Sequence, residues 1–177
     1  SLSPKLVWQA LRSMAWPALR FCLPATTFTR EEARQAIIPL TKFLLPKLGV
    51  PRNLPLEYRY APSGMQGLGI PDPYVEQGIE HLKILATHGG STTATGNFIQ
   101  ISLDPLQLEV GTCKPVLTAS FQLYGILATD CWLKCLWQFT DTAGIKITSP
   151  QCNIPATARE NDCFLNDYLT AQHTFSP

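Results

Sequence analysis

At 177 residues, with 45% hydrophobic and 15% charged residues, the chain carries enough apolar material for one domain with an ordinary core or for two small lobes, which excludes global disorder. No apolar run approaches the ~20 residues that span a bilayer, which excludes a membrane-spanning helix. The net charge of +1 conceals an asymmetry: residues 1–60 hold nine Lys/Arg against three Glu, and residues 61–177 hold five Lys/Arg against ten Asp/Glu.

Ser3-Pro4 reads as an N-cap with proline at the first helical position, and Leu6, Val7, Ala10, Leu11 and Met14 follow at helical spacing. The apolar stretch Leu2–Leu23 is broken by Pro4, Lys5, Arg12, Pro17 and Arg20 and lacks a small-residue cleavage site, so it does not read as a signal peptide. The abrupt start without Met is expected of a fragment. Trp16-Pro17 should disturb the first helix. Thr29-Arg30-Glu31-Glu32 is a capping box, and Ala33, Ile37, Leu40, Phe43 and Leu44 form the expected apolar stripe behind it. Pro39 should kink that helix, and Pro46 or Gly49 should end it.

An extended connector, 50–55, leads to Leu56-Glu57-Tyr58-Arg59-Tyr60, whose alternation predicts a short strand. Gly67-Leu68-Gly69-Ile70-Pro71-Asp72 then enters a helix over 74–88, with Val75, Ile79, Leu82 and Ala86 expected on its apolar face and Gly89-Gly90 closing it. Phe98–Val110 predicts a helix bent or split near Asp104-Pro105, and 111–114 a break. Phe121–Thr140 predicts one long apolar helix. Ile145–Ile147 reads as a short strand, 151–156 as a loop, and Arg159–Gln172 as a last amphipathic helix. The expected fold is mainly α, an irregular bundle of about five to six helices with a minor short-strand element. The expected division is a basic helical segment, 1–112, and a C-terminal helical segment, 113–177, packed on it or forming one domain with it.

The Gly67–Asp72 run imitates a dinucleotide loop, but Asp72 stands where the third glycine belongs. Pro71 and Pro73 withhold N–H groups that a phosphate would need, and no buried strand precedes it. It reads instead as a turn in which Asp72 caps the helix and Pro73 starts it. His81 and His88, seven residues apart, are separated by ~10 Å along a helix, too far to share a metal. Cys131 and Cys135 have ligand spacing but no second pair, and the six scattered cysteines read as buried reduced thiols of an intracellular, cytoplasmic or nuclear, protein. No metal, cofactor or small-molecule substrate is expected. Polymerase chemistry needs carboxylates converging on paired metal ions, and the chain has no Asp-Asp pair. No P-loop, His-Glu-x-x-His or Gly-x-Ser-x-Gly pattern appears either, so no independent catalysis is expected. Arg30, Arg34 and Lys42 fall on roughly one side of the second helix, and with Lys47, Arg52 and Arg59 they form a candidate track for a nucleic-acid backbone. Tyr58 and Tyr60 are candidates for stacking on bases. Two solvated surfaces of opposite sign explain the same charges without a ligand.

Trp16–Pro55, Gln66–Lys83, Leu106–Gly111, Leu123–Phe139 and Arg159–Asp162, taken in order, resemble the region downstream of the catalytic core in retroelement reverse transcriptases of the diatom and microalgal, LINE-like kind. The resemblance implies a helical thumb or connection segment that packs on the palm and holds a template–primer duplex, RNA–DNA or DNA, by its backbone. It places the catalytic Asp residues in an upstream polymerase domain of the same polyprotein, and no catalytic residue carries over. The alternative is a helical protein–protein interaction module with no nucleic-acid role, anchored by Trp132, Leu136 and Trp137. A small enzyme with a Cys–His site is a third possibility.

Overall fold

The computed structural model describes residues 3–147 and 163–173. These are mainly α-helical: α1 (Pro4–Ala10), α2 (Trp16–Cys22), α3 (Arg30–Lys47), α4 (Leu56–Tyr60), α5 (Pro73–His88), α6 (Ala94–Val110), α7 (Phe121–Tyr124), α8 (Trp132–Ala143) and α9 (Leu165–His173). No strand occurs among the described residues. The expected loop at 151–156 and the first residues of the expected Arg159–Gln172 helix lie outside them. The chain forms two compact units, Ser1–Glu80 and His81–Pro177, and the division falls inside α5. Residues 112 and 113, the expected division, both lie within the second unit.

In the first unit the Ser3 hydroxyl accepts from Leu6 N at 3.4 Å, as its N-cap position requires. Pro17 does not end the helix. It has no N–H for the carbonyl of Ser13, and the backbone widens to a π-helical turn over Leu11–Ala15, closed by Trp16 N–H to Leu11 O, before α2 continues. The Thr29 capping box is complete: Glu32 N donates to Thr29 Oγ1 at 3.3 Å, and the Glu32 carboxylate accepts from Thr29 N at 2.8 Å. These bonds hold the Glu32 carboxyl below its ordinary pKa, the backbone bond from Thr29 contributing most.

α3 runs through both Pro39 and Pro46, which lie on its exposed side, where water can satisfy the freed carbonyls. It closes with a Schellman motif in which Gly49, at φ +75°, lets Val50 N reach Leu45 O at 2.9 Å and Gly49 N reach Pro46 O at 3.1 Å. Its buried stripe is Ala33, Ile37, Thr41, Leu44 and Leu45. Phe43, expected on that stripe, is exposed, and Thr41 is tolerated because its hydroxyl bonds back to Ile37 O at 3.2 Å. Val7, Leu11, Ile37, Leu44, Leu45 and Ile70 form the core, flanked by Trp8, Trp16, Leu40, Val50, Tyr60 and Leu68. Each fully buried aliphatic side chain there contributes about 1.5–3 kcal/mol.

The expected strand over Leu56–Tyr60 is a helical turn, α4. Alternation over five residues cannot separate the two, and Pro55 immediately before it suits a helix start. On α5 the buried face is Tyr74, Gln77, Gly78, His81 and Leu85; of the expected apolar face, Ile79 and Ala86 are exposed, Val75 is half-buried, and Leu82 is half-buried and packed against a core. Asp72 caps α5 as expected, its Oδ1 accepting from Tyr74 N at 2.9 Å.

In the second unit α6 begins at Ala94, capped by Thr93, and continues through Pro105 without dividing. Its inner face (Ile99, Leu103, Leu106, Val110) packs with Leu85, Val116, Leu117, Leu133, Leu136 and Trp137. Gln107 is buried and satisfied: its amide nitrogen donates to Thr112 O and Lys114 O at 2.6 and 2.8 Å, and its oxygen accepts from Val116 N at 2.8 Å, which folds the turn after Gly111. The expected Phe121–Thr140 helix is two helices. Between α7 and α8, Gly125–Leu127 forms a tight 3₁₀ turn and Ala128 is extended at ψ 134°. The break is held by Glu109, which accepts from Thr129 N at 2.8 Å, and by Lys134, whose Nζ reaches Ala128 O at 2.6 Å. Residues 145–147 are irregular, not the expected strand. Asn166 at the start of α9 donates through its amide to Val110 O and through its backbone to Gly111 O, the latter at 3.2 Å.

Candidate nucleic-acid interface

The capping box fixes where α3 starts, and the Schellman turn sends the chain back along it. The connector after Val50 and α4 therefore face the Arg34–Lys42 side of the helix. Between them lies a groove of about 240 Å³ lined by Arg34, Lys42, Arg52 and Arg59, with Ile37, Ile38, Leu54 and Leu56 among its apolar walls and Tyr60 at its edge. No carboxylate lines it. Arg59 both shapes and charges the groove: its Nε donates to Leu54 O at 2.7 Å and its Nη2 to Arg52 O at 3.1 Å, pinning the connector. Arg34 meets Glu31 at 3.3 Å, but that pair is exposed and weak, so the guanidinium can turn toward a ligand. Burial first, and then the nearby Asp72 carboxylate, raise the Tyr60 phenol pKa against the lowering influence of Arg59 and Arg34. The phenol is therefore a neutral hydrogen-bond donor at physiological pH.

Of the six residues in the candidate basic track, four converge here: Arg34, Lys42, Arg52 and Arg59. Arg30 lines a neighbouring depression that also holds Glu31, Glu57 and Asp72, and its guanidinium stacks on the Tyr74 ring at 5.1 Å. Its surroundings are mixed in sign rather than basic. Lys47 is in the last turn of α3, outside the groove, where a cation suits the helix C-terminus. Arg59 and Tyr60 complete the site. They belong to the segment that reads as a strand, and only its helical form sets both on the groove side. Tyr58 is exposed and lies outside it.

The Gly67–Ile70 run is a spent backbone, not a phosphate cradle. Leu68 N donates to Tyr58 O at 2.9 Å, Gly69 N to Ala61 O at 2.9 Å and Ile70 N to Arg59 O at 3.0 Å. Its N–H groups satisfy the carbonyls at the end of α4 and so tie the groove's second wall to the core through buried Ile70.

Two other candidate sites change character. Leu136 and Trp137 are wholly buried core residues, and Trp132 is half-buried against His81, so only Trp132 remains accessible as an anchor. The cysteines are not a set of buried thiols: Cys22, Cys113 and Cys163 are exposed, Cys131 and Cys135 are half-buried, and Cys152 lies outside the described residues. Small thiols at helix and loop surfaces obey no apolar periodicity, which is why spacing did not place them. Among the described residues no three His, Cys, Asp or Glu side chains gather as a metal site would require, and no helix is long and apolar enough to cross a membrane. Compared with models of known protein families, with curated proteins and with solved structures, the chain matches none.

Proposed function

We propose that this chain is a noncatalytic, post-polymerase segment of a retroelement reverse transcriptase, and that its Arg34–Lys42–Arg52–Arg59 groove grips the backbone of a template–primer duplex. The observation that supports this reading is the groove itself: four cations converge on one depression from which carboxylates are absent. Guanidinium groups suit phosphate oxygens because their donors are planar and paired, and Tyr60 adds a neutral donor beside them. Contacts of this kind hold a duplex without reading its sequence, the role of a supporting segment whose metal-binding carboxylates lie in another domain. The resemblance in residue order from Trp16 to Asp162 gives the same context.

The test is binding of an RNA–DNA hybrid across a salt series. Binding at low salt should weaken steeply as salt rises, with the slope reporting the number of phosphates neutralised. Arg52→Ala and Lys42→Ala should each lower that slope by about one. Lys47→Ala, outside the groove, should leave it unchanged. No binding at low salt, or binding indifferent to salt, would refute the proposal.

A helical protein–protein module is the second reading, and one observation favours it. Phe98, Ile101, Pro105 and Leu108 recur at helical spacing along the outer face of α6, and all four are exposed. A stripe of this kind on a helix whose other face is already packed is unusual for a surface with no partner. If docking were the whole function, Ile101→Glu would abolish partner capture while the groove variants had no phenotype.

A further inference from the structure

The π-helical turn between α1 and α2 has a geometric consequence. In an unbroken α-helix, positions four apart drift by about 40°, so residues 8 and 16 would stand about 80° apart. The wider turn over Leu11–Ala15 rotates less per residue and cancels most of that drift. Trp8, Arg12 and Trp16 are thereby brought onto one pocket of about 380 Å³, which they line with Leu11, Gly69 and Pro71. The Arg12 guanidinium lies over the Trp8 ring, 4.9 Å from its centre. Both indoles are half-buried, packed against the unit's core, and both line the pocket. Lys5, one turn before Trp8, is exposed, and no carboxylate occurs anywhere between Ser3 and Arg30.

We propose that this pocket is a base-stacking site for single-stranded nucleic acid. The order cation, indole, cation, indole along one helical face supplies what an unpaired strand offers partners for: phosphates for Lys5 and Arg12, and flat base faces for Trp8 and Trp16. A guanidinium stacked on an indole also presents its second face to a base. The volume is at the small end of the range for ligand pockets, about 300–1,000 Å³, and suits a flipped or unpaired base rather than a helix or a strand. A proline-rich peptide also favours aromatic clefts. The exposed cations Lys5 and Arg12 on the same face as the indoles favour the polyanion. Arg20, farther along, is ion-paired with Glu80 and Glu76 at 2.6 and 3.5 Å and adds nothing to that face.

The site is distinct from the duplex groove, and the two succeed or fail separately. The experiment titrates the full chain with a short oligo(dT) and follows tryptophan fluorescence. Three further ligands are run in parallel: an abasic strand of equal length, the hybrid duplex, and a proline-rich peptide. Oligo(dT) should quench the emission, and the abasic strand should bind with little quenching. Trp16→Leu and Arg12→Ala should each weaken oligo(dT) binding about tenfold. Lys47→Ala, which lines neither the groove nor this pocket, should leave quenching by oligo(dT) unchanged. Arg12 is exposed, so its variant reports on the site even if loss of Trp16 perturbs folding. Absence of quenching by oligo(dT), equal quenching by the abasic strand, quenching by the peptide alone, or oligo(dT) affinity unaltered in Arg12→Ala would each overturn the proposal.

Discussion

The side-chain amide of Gln77 pairs with both backbone groups of Phe28: its oxygen accepts from Phe28 N at 3.0 Å, and its nitrogen donates to Phe28 O at 3.0 Å. Thr26 adds a third bond, its hydroxyl lying 2.9 Å from the same oxygen. Gln77 is 2% exposed, so this one polar side chain inside α5 fixes the loop that delivers Thr29 to its capping position.

Gln77→Leu should therefore destabilise the fold by about 2–3 kcal/mol, because it leaves Phe28 N–H and C=O without their partner in a partly buried place. Gln77→Glu should also destabilise, since a carboxylate cannot donate to Phe28 O. Urea unfolding of both variants measures this. A change within ~0.5 kcal/mol for either would mean that water replaces the amide.

Gly67 tests the turn that resembles a nucleotide loop. A Cβ on Gly67 would fall 2.0 Å from the carbonyl oxygen of Ala61, a backbone atom with no rotamer to escape into. Gly67→Ala should cost about 1–3 kcal/mol by overpacking. Gly64→Ala, where a Cβ meets nothing within 4 Å, should be nearly neutral. The pair is compared by thermal unfolding. Equal effects would show that the close approach at Gly67 relaxes without cost.

These sites also show where the sequence is legible. Caps and stops were readable because their chemistry is local: Ser3, Thr29, Asp72, Gly49 and Gly111 each act within a few residues. The mainly helical fold followed from the same signals. The buried face of α5 was not readable, since apolar spacing selects Val75 and Ile79, whereas Gln77 and His81 are buried through partners distant in sequence or fold. The break before α8 was hidden for a related reason. An apolar run from Phe121 to Thr140 supports a helix everywhere, and the interruption is held by Lys134 and by Glu109, which lies twenty residues upstream of Thr129. Within the groove, charge marks Arg34, Lys42, Arg52 and Arg59, but the convergence of Arg59 and Tyr60 on the α3 side depends on α4 being helical, where alternation predicts a strand.

Trp137 is predicted to be a stability residue. Its ring is fully buried, its Nε1 donates to Ala119 O at 2.8 Å, and Phe121 meets it edge-on with centroids 5.1 Å apart. Trp137→Phe should lose the hydrogen bond and some volume, and Trp137→Ala should cost about 3–5 kcal/mol. Neither should change nucleic-acid affinity once the fraction folded is accounted for. Chemical denaturation gives the first quantity and binding at a temperature well below the transition the second. A stable Trp137→Ala protein would show that this cluster repacks freely.

Cys113 and Asp167 give a pH-dependent prediction. The Cys113 backbone N–H donates to an Asp167 carboxylate oxygen at 2.5 Å, which joins the start of α9 to the turn after α6. The same carboxylate, as a hydrogen-bond partner first and a negative charge second to burial, raises the Cys113 thiol pKa above its ordinary value. Ionising the thiol would place two negative charges side by side, so at a given pH the exposed thiol contains less thiolate, the form that reacts. Asp167→Asn removes the charge and should shift the alkylation–pH profile of Cys113 toward lower pH, so that iodoacetamide labels it faster at pH 8. Mass spectrometry of the Cys113 peptide over a time course measures the rate. The rate gain should shrink as pH rises past the raised pKa, because both proteins are then fully ionised. A gain that persisted undiminished at high pH would identify increased access from a loosened α9, not the carboxylate's charge, as the cause.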